Sequence, residues 1–236
     1  MTEQHKTESD HIAEARAKLL DAALIHVVFD GWSDATLRAA ISDSGVEPGL
    51  ARIVFPRGGV DMALAFHYQG DARLRDDLAQ GALEDMGMTA KITHAVRRRL
   101  ELVEGDKEAV RRGASLFALP IHAGDGTKAL WHTADTIWSA LGDTSTDYNW
   151  YTKRATLSAV YSSTVLYWLG DESMGQEATW AFLDRRIANV MQIEKAKAQF
   201  RKSPLAGIFN AGPGRILDRL NKPGTRGDMS LPGKLS

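Results

Sequence analysis

The sequence predicts an all-α fold of about ten helices, and three observations carry that expectation. Apolar residues recur at i, i+3 and i+4 spacing in segment after segment. No run alternates apolar and polar residues between hairpin turns, as half-buried strands require. The breaks between periodic segments hold Gly, Pro and cap-forming Asp, Ser and Thr residues.

Residues 1–10 are polar and read as a disordered leader. From Ile12 to Phe29, Leu19, Leu20, Ala23, Leu24, Val27 and Val28 mark an amphipathic helix that Gly31 ends. Asp34 is positioned to cap a second helix, with Leu37, Ala40 and Ile41 facing inward. Gly45 makes a turn, and Pro48 suits the first position of a short third helix through Phe55. PRGG at 56–59 is a break, so residues 11–60 form a three-helix, helix-turn-helix-like unit.

A bundle is expected over 61–202. Asp61 to Glu104 reads as one long helix or two shorter ones, followed by helices over 107–119 (stopped by Pro120), 127–141, 148–169 and 175–201. The helix over 148–169 is apolar on nearly all faces and takes the central place. Beyond it, residues 203–222 read as an amphipathic helix and 223–236 as a flexible tail.

Composition narrows the function. In 236 residues, 44% hydrophobic, six Trp and seven Phe supply a sizeable core, and no apolar run approaches the ~18 residues of a membrane span. The absence of cysteine excludes a disulfide framework, a thiol nucleophile and thiolate metal ligands. MTEQHKTESD has neither a signal-peptide apolar core nor the arginine-rich character of a transit peptide. The formal net charge of −1 averages two unlike parts. Nine basic against two acidic residues give 195–236 a net +7, leaving −8 on residues 1–194. A basic tail on an acidic body points to an anionic surface, nucleic acid or lipid head groups.

TLRAAISDSGVEPGLARIVFPRGGVDM (36–62) resembles the start of the tetracycline-repressor family, which makes a ligand-responsive DNA-binding regulator the alternative reading. Its chemistry argues against DNA. From Glu47 to Val54 only Arg52 can meet a phosphate or base edge, and Asp43 and Asp61 flank that helix. No nucleic-acid partner is therefore expected. Catalysis finds no constellation either. GDGTK (124–128) lacks phosphate-loop spacing and reads as a turn, and there is no G-x-S-x-G elbow. His132 and Asp135, with His122 nearby, read as a surface pair and not a metal site. A di-iron bundle needs two Glu-x-x-His pairs, and the one present, Glu8 to His11, lies in the leader. No catalytic residue, metal or cofactor is expected beyond a bound lipid or isoprenoid quinone.

The run NWYTKRA (149–155), the Tyr-Ser-Ser-Thr run at 161–164, the Asp-Glu-Ser loop at 171–173 and TWAFLDRRI (179–187) resemble the ubiquinone-biosynthesis accessory protein family usually called coenzyme Q protein nine. With the repressor-like front end in the same order, the resemblance covers nearly all of 12–200. It implies a repressor-like fold without DNA binding, a homodimer, and a bundle that holds a phospholipid or isoprenoid quinone. It further implies that quinone is presented to the di-iron demethoxyubiquinone hydroxylase at a membrane. Mitochondrial members carry a transit peptide, so a bacterial version is expected here, cytoplasmic and peripheral on the inner membrane face.

Carried over by position, the hydroxylase contact falls on Ile137, Trp150 and Tyr151, with Arg154 beside them as an anchor able to pair with Asp147 or Asp143. The lipid cavity is expected between helices 107–119, 127–141 and 148–169, at Leu116, Phe117, Leu130, Ile137, Tyr161, Val165 and Trp168. The same residues would equally serve as plain core. The membrane contact is expected at Leu205, Ile208, Phe209, Arg215, Ile216, Leu217, Arg219 and Leu220, an apolar stripe edged by cations.

Overall fold

The computed structural model describes residues 7–201 apart from Ala82 and Glu84, with side chains described as far as Gln192. Among the described residues are nine α-helices and no strand, the all-α class that the spacing predicted. The expected membrane-contact residues of 203–222, Leu205 through Leu220, and the tail 223–236 lie outside the described residues.

Helix α1 (Glu8–Asp30) starts earlier than its apolar pattern. The Thr7 hydroxyl accepts from the Asp10 amide while the Asp10 carboxylate accepts from the Thr7 amide, a reciprocal box that satisfies two end donors. Residues 7–10 therefore belong to the helix start and not to the expected disordered leader. Helix α2 (Asp34–Ser44) is capped by the Ser33 hydroxyl, so Asp34 is its first helical residue, not its cap. Gly45, at φ 67°, makes the left-handed turn into α3 (Pro48–Val54), whose end donor at Leu50 is taken by the Glu47 carboxylate.

The long segment resolves into α4 (Gly59–Gln80) and α5 (Met88–Glu101). They are followed by α6 (Lys107–Phe117), α7 (Ala123–Ala140), α8 (Tyr148–Leu169) and α9 (Glu177–Arg201). Helix α7 begins four residues before Thr127, and the GDGTK stretch read as a turn is its first turn. Close crossing explains the glycine there: a Cβ on Gly126 would sit 2.7 Å from the Phe117 Cβ. Helix α8 has the expected bounds because Asp147 caps it and Gly170 follows its last residue.

Helix α1 packs on α2, α3 and α6; α4 packs on α7, α7 on α8 and α8 on α9, while α5 bridges α4 and α9. One apolar core runs from Leu19 and Leu20 to Leu183 and Ile187. Trp32, in the turn between α1 and α2, pins the front of the molecule to the bundle. Its indole N–H donates to the Ala109 carbonyl at 2.9 Å, and its ring lies 5.5 Å from Phe66. The boundary read near residue 60 thus separates no two cores: the unit 11–60 and the bundle share one.

Candidate functional site: an apolar cavity with a polar floor

Helices α4 to α8 enclose a cavity of about 420 Å³, with Trp32 closing one side, a size common to sites for small apolar ligands. Its mouth lies among exposed residues, Ala118, Ala123, Thr127 and Leu166. Leu166 is 67% exposed, and Leu119 and Ile121 in the loop between Ala118 and Ala123 are exposed as well, Ile121 by 82%. Its floor is buried and is formed by Ala63, Phe66, Arg99, Ala129 and Tyr161. The small residues Ala109, Gly113 and Ala114 on α6 leave space that larger side chains would fill, while Gly126 on α7 makes room for Phe117.

Polar groups gather at the floor. Asp71 on α4, fully buried, accepts from Arg99 Nε at 2.8 Å, from the Thr133 hydroxyl at 2.9 Å and from His132 Nδ1 at 2.7 Å. A second guanidinium nitrogen of Arg99 donates to the His67 carbonyl. Gly70 permits this: any Cβ there would stand 2.5 Å from the guanidinium carbon. Burial pushes the Asp71 carboxyl up, and the hydrogen bond from His132 with the charges of His67 and Arg99 more than reverses it. His67 Nε2 lies 2.8 Å from the Thr133 hydroxyl and 3.0 Å from the Ala129 carbonyl. Since that hydroxyl donates to Asp71, His67 serves it as an Nε2–H donor, the neutral tautomer. Burial agrees, driving the His67 pKa down to about 4. His132, half exposed, is raised by its bond to Asp71.

The residues expected around a lipid divide. Phe117, Leu130, Tyr161 and Val165 line the cavity. Leu116 packs against the core off the cavity wall, and Ile137 and Trp168 are fully buried elsewhere. The Trp168 indole donates to the Gln176 side chain and has Lys107 over its ring. The sequence reading missed Trp32, Phe66, His67 and Arg99. His67 and Asp71 stand at i, i+4 on α4 and could have been noticed; Arg99 sits in a run of three arginines that looks solvated.

The expected hydroxylase contact also needs correction. Ile137 is 0% exposed and Arg154 1%, so neither side chain can reach a partner while the fold is intact. Arg154 is an anchor: it binds Asp135 and Asp143 and lies 4.1 Å over the Trp150 ring, whereas Asp147 is occupied with capping α8. Lys153, Ser145 and Arg154 together hold the Asp143 carboxyl far below the carboxylate range, against the upward push of burial. Trp150 itself is 7% exposed. Trp131, not named from the sequence, joins it: its ring centroid is 5.8 Å from Trp150 and 6.4 Å from Tyr151. The accessible face is therefore made by Tyr151 and Trp131, both half-buried, over Trp150. His132 and Asp135 are not a pair, since one turns to Asp71 and the other to Arg154.

Comparison with known proteins places this architecture. A TetR transcriptional regulator from Nitrosomonas europaea ATCC 19718 superposes with a TM-score of 0.59 over 73% of this chain and 95% of its own, at 20% identity. At that identity the likeness establishes the fold alone. The COQ9 family model matches residues 123–194, the stretch holding α7, α8 and most of α9. The chain is 35% identical over 190 residues to "Ubiquinone biosynthesis protein COQ9, mitochondrial" of Drosophila melanogaster, covering 78% of this chain and 57% of that protein. It is 31% identical to the protein of that name in Rattus norvegicus and 30% to that in Homo sapiens, covering 83% of this chain and 65% and 64% of theirs. The chain thus spans less than two thirds of the length of these relatives. With the family's matched segment forming one part of the cavity wall and most of the aromatic face of a TetR-like helical fold, the chain belongs to the COQ9 family.

Proposed function

We propose that this protein is a non-catalytic, lipid-binding accessory protein of ubiquinone biosynthesis that works at a membrane surface. It takes an isoprenoid quinone intermediate into its bundle and presents it to the di-iron demethoxyubiquinone hydroxylase. The observation that carries this reading is the apolar cavity, whose mouth includes exposed Leu166 and whose lining residues Ala118 and Ala123 bracket a loop with exposed Leu119 and Ile121. A bilayer is the surface against which such a rim loses its unfavourable contact with water. The relatives, named as ubiquinone biosynthesis proteins, suggest the pathway. Tyr151 and Trp131 offer amphipathic aromatic surface for the enzyme partner. The apolar and basic residues between 203 and 222 supply a further membrane contact by their spacing. Among the described residues no helix is long and apolar enough to cross a membrane.

The regulator reading has less support. Within α3 only Arg52 is cationic, and Arg57, just beyond it, is held by Asp61 and Asp125. The test is mass spectrometry of lipid extracted from the purified protein, compared with Ala114→Trp, which puts an indole into the cavity. A prenylated quinone or other lipid present in the parent and lost from a folded Ala114→Trp supports the reading. Equal lipid in both, or none in either, refutes it.

A further inference from the structure

The cavity is apolar at its mouth and carries two uncommitted hydrogen-bond donors at its floor. Arg99 spends Nε on Asp71 and one terminal nitrogen on the His67 carbonyl; its other terminal nitrogen makes no hydrogen bond among the described residues. Tyr161 is 4% exposed and lines the same floor, and its hydroxyl likewise makes none. The two groups are near enough to influence each other: the Arg99 charge opposes the rise that burial imposes on the Tyr161 hydroxyl. Neither donor atom is sealed off in the core; both stay open to the cavity space, so an apolar ligand that fills it must supply an acceptor or leave them unpaired and cut off from water. Asp71 already balances the Arg99 charge and His67 is neutral, so the floor asks for an oxygen acceptor and not for a full negative charge.

We propose that Arg99 and Tyr161 form a recognition site for a carbonyl oxygen at the end of an apolar ligand, which enters polar end first and leaves its chain at the mouth beside Leu166. The proposal rests on the cavity being the lipid site and adds the orientation of the ligand and the chemistry of its buried end. A ring carbonyl of a quinone and the ester carbonyl of an acyl lipid share that chemistry.

Three probes of similar chain length separate the possibilities in titrations followed by tryptophan fluorescence: decyl-1,4-benzoquinone, methyl decanoate and decylbenzene, which has no acceptor. Tyr161→Phe removes the hydroxyl and keeps the ring. Losing one hydrogen bond should weaken the carbonyl probe that fits by about three- to tenfold, with decylbenzene unchanged. Loss for the quinone alone assigns the site to a ring carbonyl, and loss for the ester alone to an acyl lipid; loss for both supports the shared chemistry. An equal loss for all three probes, or none for any, overturns the carbonyl site while leaving the cavity as a lipid site. Binding of no probe to the parent protein overturns both.

Discussion

Lowering the pH from 7 to 4.5 should remove about 2–3 kcal/mol of stability through one side chain, His67, whose pKa falls from 6.5 to about 4 on folding. In the unfolded chain that imidazole takes up its proton near 6.5. In the fold, burial beside Arg99 delays it to about 4. Between those values the unfolded chain binds the extra proton, so stability falls as the pH falls through the window. Each unit is worth about 1.4 kcal/mol, and the step from 7 to 4.5 crosses most of the span. Two neighbours make separate contributions. His132 is raised by Asp71, so the stability it contributes is complete below 6.5 and is lost only as the pH rises through its folded value. Asp71 is lowered, so its contribution is lost as the pH falls below the ordinary carboxylate range. The assay is urea unfolding at both pH values for the parent and for His67→Gln, whose amide can still donate to Thr133. The parent should lose about 2–3 kcal/mol more than the variant between the two conditions. Parallel losses would refute the buried neutral imidazole.

Three further outcomes follow from the geometry. Arg154→Met should destabilise the fold by about 3–5 kcal/mol, because Asp143 loses a buried partner; a melting curve within a degree of the parent's would count against the anchor. Tyr151→Ala should weaken co-purification with the hydroxylase and leave thermal stability within about 1 kcal/mol, as at other partly exposed positions. Trp150→Ala is a poor probe of that contact, since removing a buried indole costs about 3–5 kcal/mol by itself. A chain ending after Lys202 should float less with anionic liposomes than the full chain, and equal flotation would exclude residues 203–222 as a membrane contact.

Helix identity and order were legible wherever local chemistry decides them. Asp147 and Gly170 framed α8 to the residue because a cap and a stop are local events. Helix α7 was misjudged at its start because Gly124 and Gly126, turn residues in isolation, are required by the crossing with α6. The site was legible only in part. Phe117, Leu130, Tyr161 and Val165 could be placed on the facing sides of three helices, but wall and filler look alike in a periodic pattern: nothing local distinguishes Val165 from Trp168. Transfer by position put Ile137 on the surface patch, whereas the rotation of α7 turns it into the core and brings Trp131 to Trp150. Arg99 escaped notice because its partner, Asp71, lies a helix away, and burial of an ion pair leaves no trace in either segment.

Trp32 is both a wall of the cavity and the brace between the front of the molecule and α6. Cavity size and fold integrity are therefore not independent variables on that side. A lineage adapting to a bulkier ligand, or an engineer seeking one, could not trim the indole without loosening α1 and α2 from the bundle. Room can be made more cheaply at the mouth, where Ala118, Thr127 and Leu166 are exposed. Variation in the length of a ligand held there would thus be channelled to the mouth, while the buried end stays fixed by the architecture.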